Sequence, residues 1–309
     1  MKEEPRTIAD WIEYAARRLD TGGTHFGHGT DNARDEAAWL VLHASEAPLD
    51  GSFTDWGREV HPRQAGEVRR LLRARLETGK PLAYLTGCAW FAGLEFEVSE
   101  AVLVPRSPLA ELIRDGFRPW VRPQRVRRVL DLCTGSGCIA VATAVRLPGA
   151  RIDAADISPE ALEVARTNVR KHGVEDRVSL VESDLFAALR DRRYDLIVSN
   201  PPYVPEASLR GLPAEYRAEP GLGLVSGADG LDAVLSILLD AAVHLSDDGV
   251  LVCEVGESEG RLAAGLPSVP FTWLEFEHGG SGVFVLERPA LEAAGPAVAD
   301  LIRKRKDVA

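Results

Sequence analysis

The sequence predicts an α/β protein: a mostly parallel sheet flanked by helices, with a small helical domain ahead of it. Three stretches carry this expectation. Over residues 128 to 140 a buried strand reads into the glycine loop Gly135-Ser-Gly137 and then into a helix ending near Leu147. Residues 150 to 156 read as a second strand, ending on Asp156. Residues 196 to 199 form a third, which runs into Asn200-Pro201-Pro202-Tyr203, where two prolines remove two backbone donors and stop the ladder. Strands alternating with helices build parallel sheets, and such sheets bind ligands at the carboxyl ends of their strands.

The remaining elements follow in chain order. Residues 8 to 20 place Ile8, Trp11, Ile12, Ala15 and Leu19 on one helical stripe. After a glycine-rich loop, Asp31 or Asn32 can cap a second helix through about Ala47, and a third begins at Pro62 and stops at Gly79. Residues 1 to 80 thus form a helical bundle that offers a surface rather than a reaction centre, and we read it as a substrate-docking domain. Residues 81 to 106 alternate at Leu94, Phe96 and Val98 around Gly93, which predicts a linking β-hairpin closed by Pro105-Arg106-Ser107-Pro108. Because this link leads to the sheet, Arg106 is expected to face the site. The reaction domain spans residues 107 to 288. The strand after residue 156, 177 to 184, delivers Asp184, and segments 272 to 278 and 282 to 288 flank Gly279-Gly280 as a hairpin that ends the sheet in an antiparallel pair. The tail, 289 to 309, ends in the basic run 303 to 306 and is assigned no role.

Composition narrows the function classes. The 309 residues suggest two domains, and 45% hydrophobic with 27% charged is a soluble globular balance. No apolar run of signal or spanning length is present, and four cysteines without metal-ligand spacing read as reduced thiols, so a cytoplasmic protein without a metal is expected. The net charge of −11 lies wholly in the second part: residues 1 to 128 hold 19 basic and 19 acidic groups, residues 129 to 309 hold 17 and 28. That balance argues against a large nucleic-acid face and against sequence-specific nucleic-acid binding. Local basic clusters remain, at Arg63 to Arg75 and at Arg118, Arg122, Arg125, Arg127 and Arg128, and read mostly as solvated faces.

The chemistry starts at Asn200. Fixed prolines hold its side-chain amide and the neighbouring carbonyls rigidly at a strand end, and amide and carbonyl acceptors beside the Tyr203 ring suit a planar group bearing NH2. Gly135 and Gly137 let the backbone approach a ligand, and Asp156 can accept both hydroxyls of a ribose. These features also fit a dinucleotide-binding dehydrogenase. Asp131, just before the loop, would repel a pyrophosphate but could hold a cationic amino-acid ligand, which favours a sulfonium cofactor. Asp184 could receive the amino group of an adenine.

With Asp131-x-x-x-Gly135-x-Gly137, Asp156 and Asn200-Pro-Pro-Tyr203 on successive strands, the chain resembles the class I S-adenosylmethionine-dependent methyltransferases that modify NH2 groups. The helical first domain, the hairpin and Pro105-Arg106-Ser107-Pro108 are similar to the protein glutamine-N5 methyltransferases within that class. Release-factor enzymes of the family carry an acidic pair after Pro-Arg. Ser107-Pro108 here resembles instead the branch acting on the third protein of the large ribosomal subunit. The resemblance implies a Rossmann-like, seven-stranded, mostly parallel sheet with an antiparallel terminal hairpin and S-adenosylmethionine as cofactor. It implies cofactor contacts from Asp131, Gly135, Gly137, Asp156, Asp184 and Asn200. Asn200, Pro201, Pro202 and Tyr203 would form the catalytic turn, with Asn200, Pro201, Tyr203 and Arg106 touching a basic ribosomal protein substrate. Release-factor methylation, and adenine or cytosine amino methylation on nucleic acid, remain as alternatives at this point.

Overall fold

The computed structural model describes residues 4 to 307, which form two compact units. One holds the chain up to Glu100 together with Val104–Arg106 and Leu212–Glu219; the other holds the remainder.

The first unit contains α1 (Ile8–Thr21), α2 (Ala33–Ala44), α3 (Pro62–Thr78), α4 (Leu82–Thr86), β1 (Cys88–Phe91) and β2 (Leu94–Glu97). Local signals set its helix starts. Thr7 and Asp10 form a reciprocal capping box on α1, the Asn32 side chain accepts from the Arg34 and Asp35 N–H groups, and Pro62 opens α3. Ile8, Trp11, Ile12, Ala15 and Leu19 are all buried, and Val68, Leu71 and Leu72 of α3 join them in one core. Helix α2 stops at Ala44 rather than Ala47, since Glu46 sits in the left-handed region (φ 53°) and turns the chain away. The hairpin is shorter than expected: residues 82 to 86 are helical, and Ala92 (φ 51°) with Gly93 (φ 82°) make the tight turn between β1 and β2.

Polar groups are buried in this unit as well. Arg75 is 1% exposed. Its Nε donates to Glu36 (2.7 Å), its Nη1 to Glu215 (3.0 Å) and its Nη2 to the His25 carbonyl (2.9 Å). Arg106 pairs bidentately with buried Glu219 at 2.6 Å through each nitrogen, and His28 Nε2 lies 3.4 Å from the same carboxylate. Burial alone would raise the Glu219 pKa, but His28 and Arg106 together bring it down to about 2.

The second unit contains α5 (Leu109–Arg114), β3 (Arg128–Leu132), α6 (Cys138–Arg146), β4 (Arg151–Asp156), α7 (Pro159–Lys171), β5 (Val178–Glu182), β6 (Tyr194–Ser199), α8 (Gly221–Leu224), α9 (Asp232–His244), β7 (Leu245–Glu254), α10 (Glu259–Gly265), β8 (Thr272–Trp273), β9 (Val283–Glu287) and α11 (Arg288–Lys306). The strands form one seven-stranded sheet in the order β5-β4-β3-β6-β7-β9-β8. Neighbouring strands from β5 to β7 run parallel, and β9 is antiparallel to both β7 and β8. On one face Leu130, Leu132, Ile197, Leu251, Cys253 and Phe284 pack with buried residues of α9, α10 and α11. The segment after residue 288, expected as a tail, is helix α11. Pro289 stands in its first turn, where the missing N–H costs nothing, and Leu291, Ala294 and Val298 bury one stripe. Near its end, Arg305 pairs with Asp229 and Asp232. Among the described residues no helix is long and apolar enough to cross a membrane.

Strand order reverses at β3. The next strand in sequence, β4, lies on one side of it and β6 on the other, which opens a crevice above the carboxyl ends of β3 and β6.

Candidate active site

Register places the two loops of the site side by side. Leu132 of β3 pairs with Ser199 of β6, and the Ser199 hydroxyl donates to the Leu132 carbonyl at 2.7 Å, so the glycine loop and the Asn-Pro-Pro-Tyr turn leave the sheet at one level. Pro201 is buried, and Asn200, Pro202 and Tyr203 are half-buried. Among the described residues the Asn200 carboxamide has no protein hydrogen-bond partner; its oxygen and NH2 are available to a ligand.

Tyr203 is held from several directions. Its hydroxyl donates to Glu254 Oε1 (3.2 Å), and Ser107 Oγ donates to Glu254 Oε2 (2.5 Å). Its carbonyl accepts from Ser258 Oγ (2.8 Å). Gly256 (φ 46°) lies against the ring, where a Cβ would come within 2.6 Å of Cε2, and a Cβ on Gly230 (φ 82°) would collide with the Tyr203 carbonyl. Neither Glu254 nor these glycines was anticipated from the sequence. A signal existed for Glu254: it ends a buried strand on an acid, as Asp156 does, but its partner Ser107 lies far away in the chain.

The glycine loop is organised by two carboxylates. Asp131 is 1% exposed, and its Oδ2 accepts from the Thr134 hydroxyl (2.5 Å) and the Ala140 N–H (3.0 Å). Its Oδ1 is buried without any protein partner. Burial raises the Asp131 pKa to about 7 against the Thr134 and Ala140 hydrogen bonds. Asp156 accepts from the Gly135 N–H at 2.8 Å and the Ser158 N–H at 2.9 Å, so it pins the loop to the start of α7. Burial pushes its pKa up as well, opposed by those N–H groups. The two glycines differ. A Cβ on Gly135 (φ 53°) would meet nothing within 4 Å, whereas one on Gly137 (φ 78°) would press on Ala165 Cβ at 3.0 Å. Gly137 is therefore explained by the packing of α6 on α7, a different reason from the close ligand approach read from the sequence. Asp184 is exposed beyond β5. Arg106 belongs to the helical unit, where Glu219 engages its guanidinium.

Thiol chemistry has no place here. Burial pushes Cys138 up to about 12 and raises Cys133 and Cys253 well above the usual thiol range, so all three stay protonated at neutral pH. No group of three or more His, Cys, Asp or Glu side chains that could hold a metal ion occurs among the described residues.

An unpartnered, buried acid oxygen on Asp131 next to an open glycine turn fits the ammonium of an amino-acid-bearing cofactor such as S-adenosylmethionine. Comparison with known proteins agrees. Residues 119–211 match the methyltransferase small domain, and residues 10–87 match the PrmC N-terminal domain. The ribosomal protein uL3 glutamine methyltransferase of Xylella fastidiosa is 49% identical over 304 residues, covering 98% of this chain and 97% of its own. Its namesakes from Bordetella pertussis and Neisseria meningitidis are 45% and 47% identical, each over 94% of this chain and over 98% and 95% of their own. Among solved structures, the hMettl16 catalytic domain in complex with MAT2A 3'UTR hairpin 6 superposes with a TM-score of 0.51 at 19% identity, covering 80% of this chain and 91% of that one, a likeness of fold alone. Relatives this similar over nearly the full length place the chain in the family of ribosomal protein uL3 glutamine methyltransferases, which are S-adenosylmethionine-dependent enzymes of the class I methyltransferase fold.

Proposed function

We propose that this enzyme methylates the side-chain amide nitrogen of a glutamine in ribosomal protein uL3, with the amide held by the Asn200 carboxamide oxygen and the Pro201 carbonyl. The observation that carries this reading is the half-buried Asn200 carboxamide, without a protein partner among the described residues, next to the anchored Tyr203. An amide nitrogen is a poor nucleophile because its lone pair is delocalised. Two fixed acceptors, one for each N–H, direct the lone pair along a single line and stabilise the positive charge that grows as the N–C bond forms. S-adenosylmethionine supplies the methyl as an electrophile on a sulfonium. Its sulfur would keep the C–S electron pair on transfer, and the amide nitrogen releases its proton afterwards, so no strong base is required. Tyr203 packs beside the amide plane. Pro202 keeps the turn rigid.

For the cofactor, we assign Asp131 Oδ1 to the amino-acid ammonium, the Gly135 turn to its close approach, Asp156 to the ribose hydroxyls and Asp184 to the adenine amino group. Gly137 contributes through the shape of the loop. We infer that Arg106 serves the substrate indirectly, by fixing Glu219. The substrate is basic, since an excess of acid in the catalytic part steers a cationic chain towards it, and that attraction weakens with salt.

The test is transfer of labelled methyl to unmodified uL3, to a release factor and to unmethylated DNA. Label on one glutamine of uL3, abolished when that glutamine becomes glutamate, is the expected result. A glutamate presents oxygen acceptors to oxygen acceptors. Label on the release factor or on DNA would overturn the assignment.

Asp131 also predicts a pH dependence. In the free enzyme its carboxyl stays protonated up to about 7, above the ordinary 3.8. The folded protein therefore holds a proton that the unfolded chain loses, and this group's contribution to stability falls as pH rises between those values. A cationic ligand favours the ionised form, so cofactor affinity should increase by up to about tenfold per pH unit below 7 and level off above it. In calorimetric titrations Asp131→Asn should bind more weakly and without this slope. A wild-type affinity that is flat across the same range would remove Asp131 from the ammonium site.

A further inference from the structure

The parallel sheet is polarised in charge along its strands. At the carboxyl edge stand Asp131, Asp156, Glu182 and Glu254. At the amino edge, β3 begins at Arg128 and β4 at Arg151, and Arg177 and Arg193 directly precede β5 and β6. Most of these arginines are explained by the fold. Arg177 donates to the Ala144 carbonyl near the end of α6 and Arg193 to the Val243 carbonyl near the end of α9, where cations complement the helix dipole. Arg151 donates to the Asp176 carbonyl, and Arg128 lies 3.9 Å from Asp153.

Three others lack such an explanation. Arg118, Arg127 and Arg146 line a cleft of about 330 Å³ at this edge, walled otherwise by Pro123, Leu147, Gly149 and their neighbours. All three are exposed, and none pairs with a carboxylate among the described residues. Arg118 reaches only the Asp115 carbonyl, at 3.5 Å. Arg127 Nη1 lies over Gly149, where a Cβ would come within 3.0 Å of it. Asp195, the acid nearest by bonding, is occupied by the backbone N–H groups of Arg127 and Arg128 and by the Ser246 hydroxyl. Three guanidinia around one cleft without a counter-charge repel one another, and an anion with several oxygens relieves that. The planar guanidinium fork matches phosphate oxygens two at a time.

We propose that this cleft binds the phosphodiester backbone of RNA. Arg122 and Arg125, exposed on either side of the wall residues Pro123 and Gln124, bring the local cations to five, more charge than a single phosphate neutralises. The cleft walls carry no aromatic ring on which a base could stack, so the contact positions RNA without reading its sequence. The choice of RNA over DNA rests on the ribosomal-protein reading above, because such a substrate is met on RNA. The cleft lies at the amino edge of the sheet and Asn200 at the carboxyl edge, which leaves the crevice free for the protein substrate.

Polarisation of a labelled short hairpin RNA with the full chain measures binding without any methyl transfer, so its outcome is independent of the substrate assignment. Arg118→Gln/Arg127→Gln/Arg146→Gln should weaken binding at least about tenfold and reduce the slope of log affinity against log salt by about two to three. Arg146→Gln alone should remove about one third of that slope, which guards against misfolding of the triple variant. Cofactor affinity should be unchanged in both. Equal RNA binding by the wild type and the triple variant would overturn the proposal. So would preference for a DNA hairpin of the same length, or full displacement of RNA by inorganic phosphate at matched phosphate concentration, which would make the cleft a small-anion site.

Discussion

Asn200→Ala is expected to slow methyl transfer about 10²- to 10³-fold, the effect of removing one preorganised partner from a charge-developing transition state. Cofactor affinity should change by much less. The variant keeps the proline turn, the Ser199–Leu132 hydrogen bond and the Tyr203 anchors, and loses only an acceptor that no protein group uses. Single-turnover rates at saturating cofactor, set beside calorimetric binding, separate the two quantities. If affinity falls in proportion to rate, Asn200 holds the cofactor and the acceptor assignment is wrong.

The largest effect on stability is expected at Arg75. Replacing it by alanine strands Glu36 and Glu215, which are 3% and 5% exposed, around an absent cation. Breaking a buried ion network in this way costs about 3 to 5 kcal/mol, far more than the loss of a surface pair. Burial alone would raise the Glu215 pKa, but its backbone hydrogen bonds, including one from the His25 N–H, together with Arg75 hold it below the ordinary 4.5. Its contribution to stability is therefore present above that value and is lost as pH falls through its lowered pKa. The deficit of Arg75→Ala should accordingly narrow in acid, where the stranded Glu215 takes up a proton. Urea unfolding at neutral pH and near pH 4 measures both. A neutral-pH loss below about 1 kcal/mol would mean that water enters and solvates the pair.

These residues also show where sequence patterns stop being informative. The glycine loop, Asp156 and the Asn-Pro-Pro-Tyr turn were legible because each is a local event: a buried run, then a residue that cannot continue it. Trp11, Leu19 and their stripe were legible by period. Arg75 was read with Arg69, Arg70 and Arg73 as a solvated face, yet it lies three and four residues beyond Leu72 and Leu71 and shares their buried stripe. Its carboxylates come from remote parts of the chain, and a charge pattern along one helix carries no record of them. Glu254 was missed for the same reason. The final helix reads as a tail because it lies outside the pattern shared with the family, although Leu291, Ala294 and Val298 recur at three- and four-residue spacing.

The membership of Leu212–Glu219 in the helical unit has a consequence for exchanging parts between related enzymes. The chain leaves the catalytic unit after Gly211 and rejoins it at Pro220. Val204 and Val225 bridge at the foot of this excursion, which carries Glu215 and Glu219 to Arg75 and Arg106. A chimera that took a foreign helical unit by splicing at residue 106 alone would keep two native acids for an inherited set of cations. Recombination boundaries that respect the fold come as a set, with crossovers at 100/101, 103/104, 106/107, 211/212 and 219/220, and the short insert 212 to 219 must travel with the helices it neutralises.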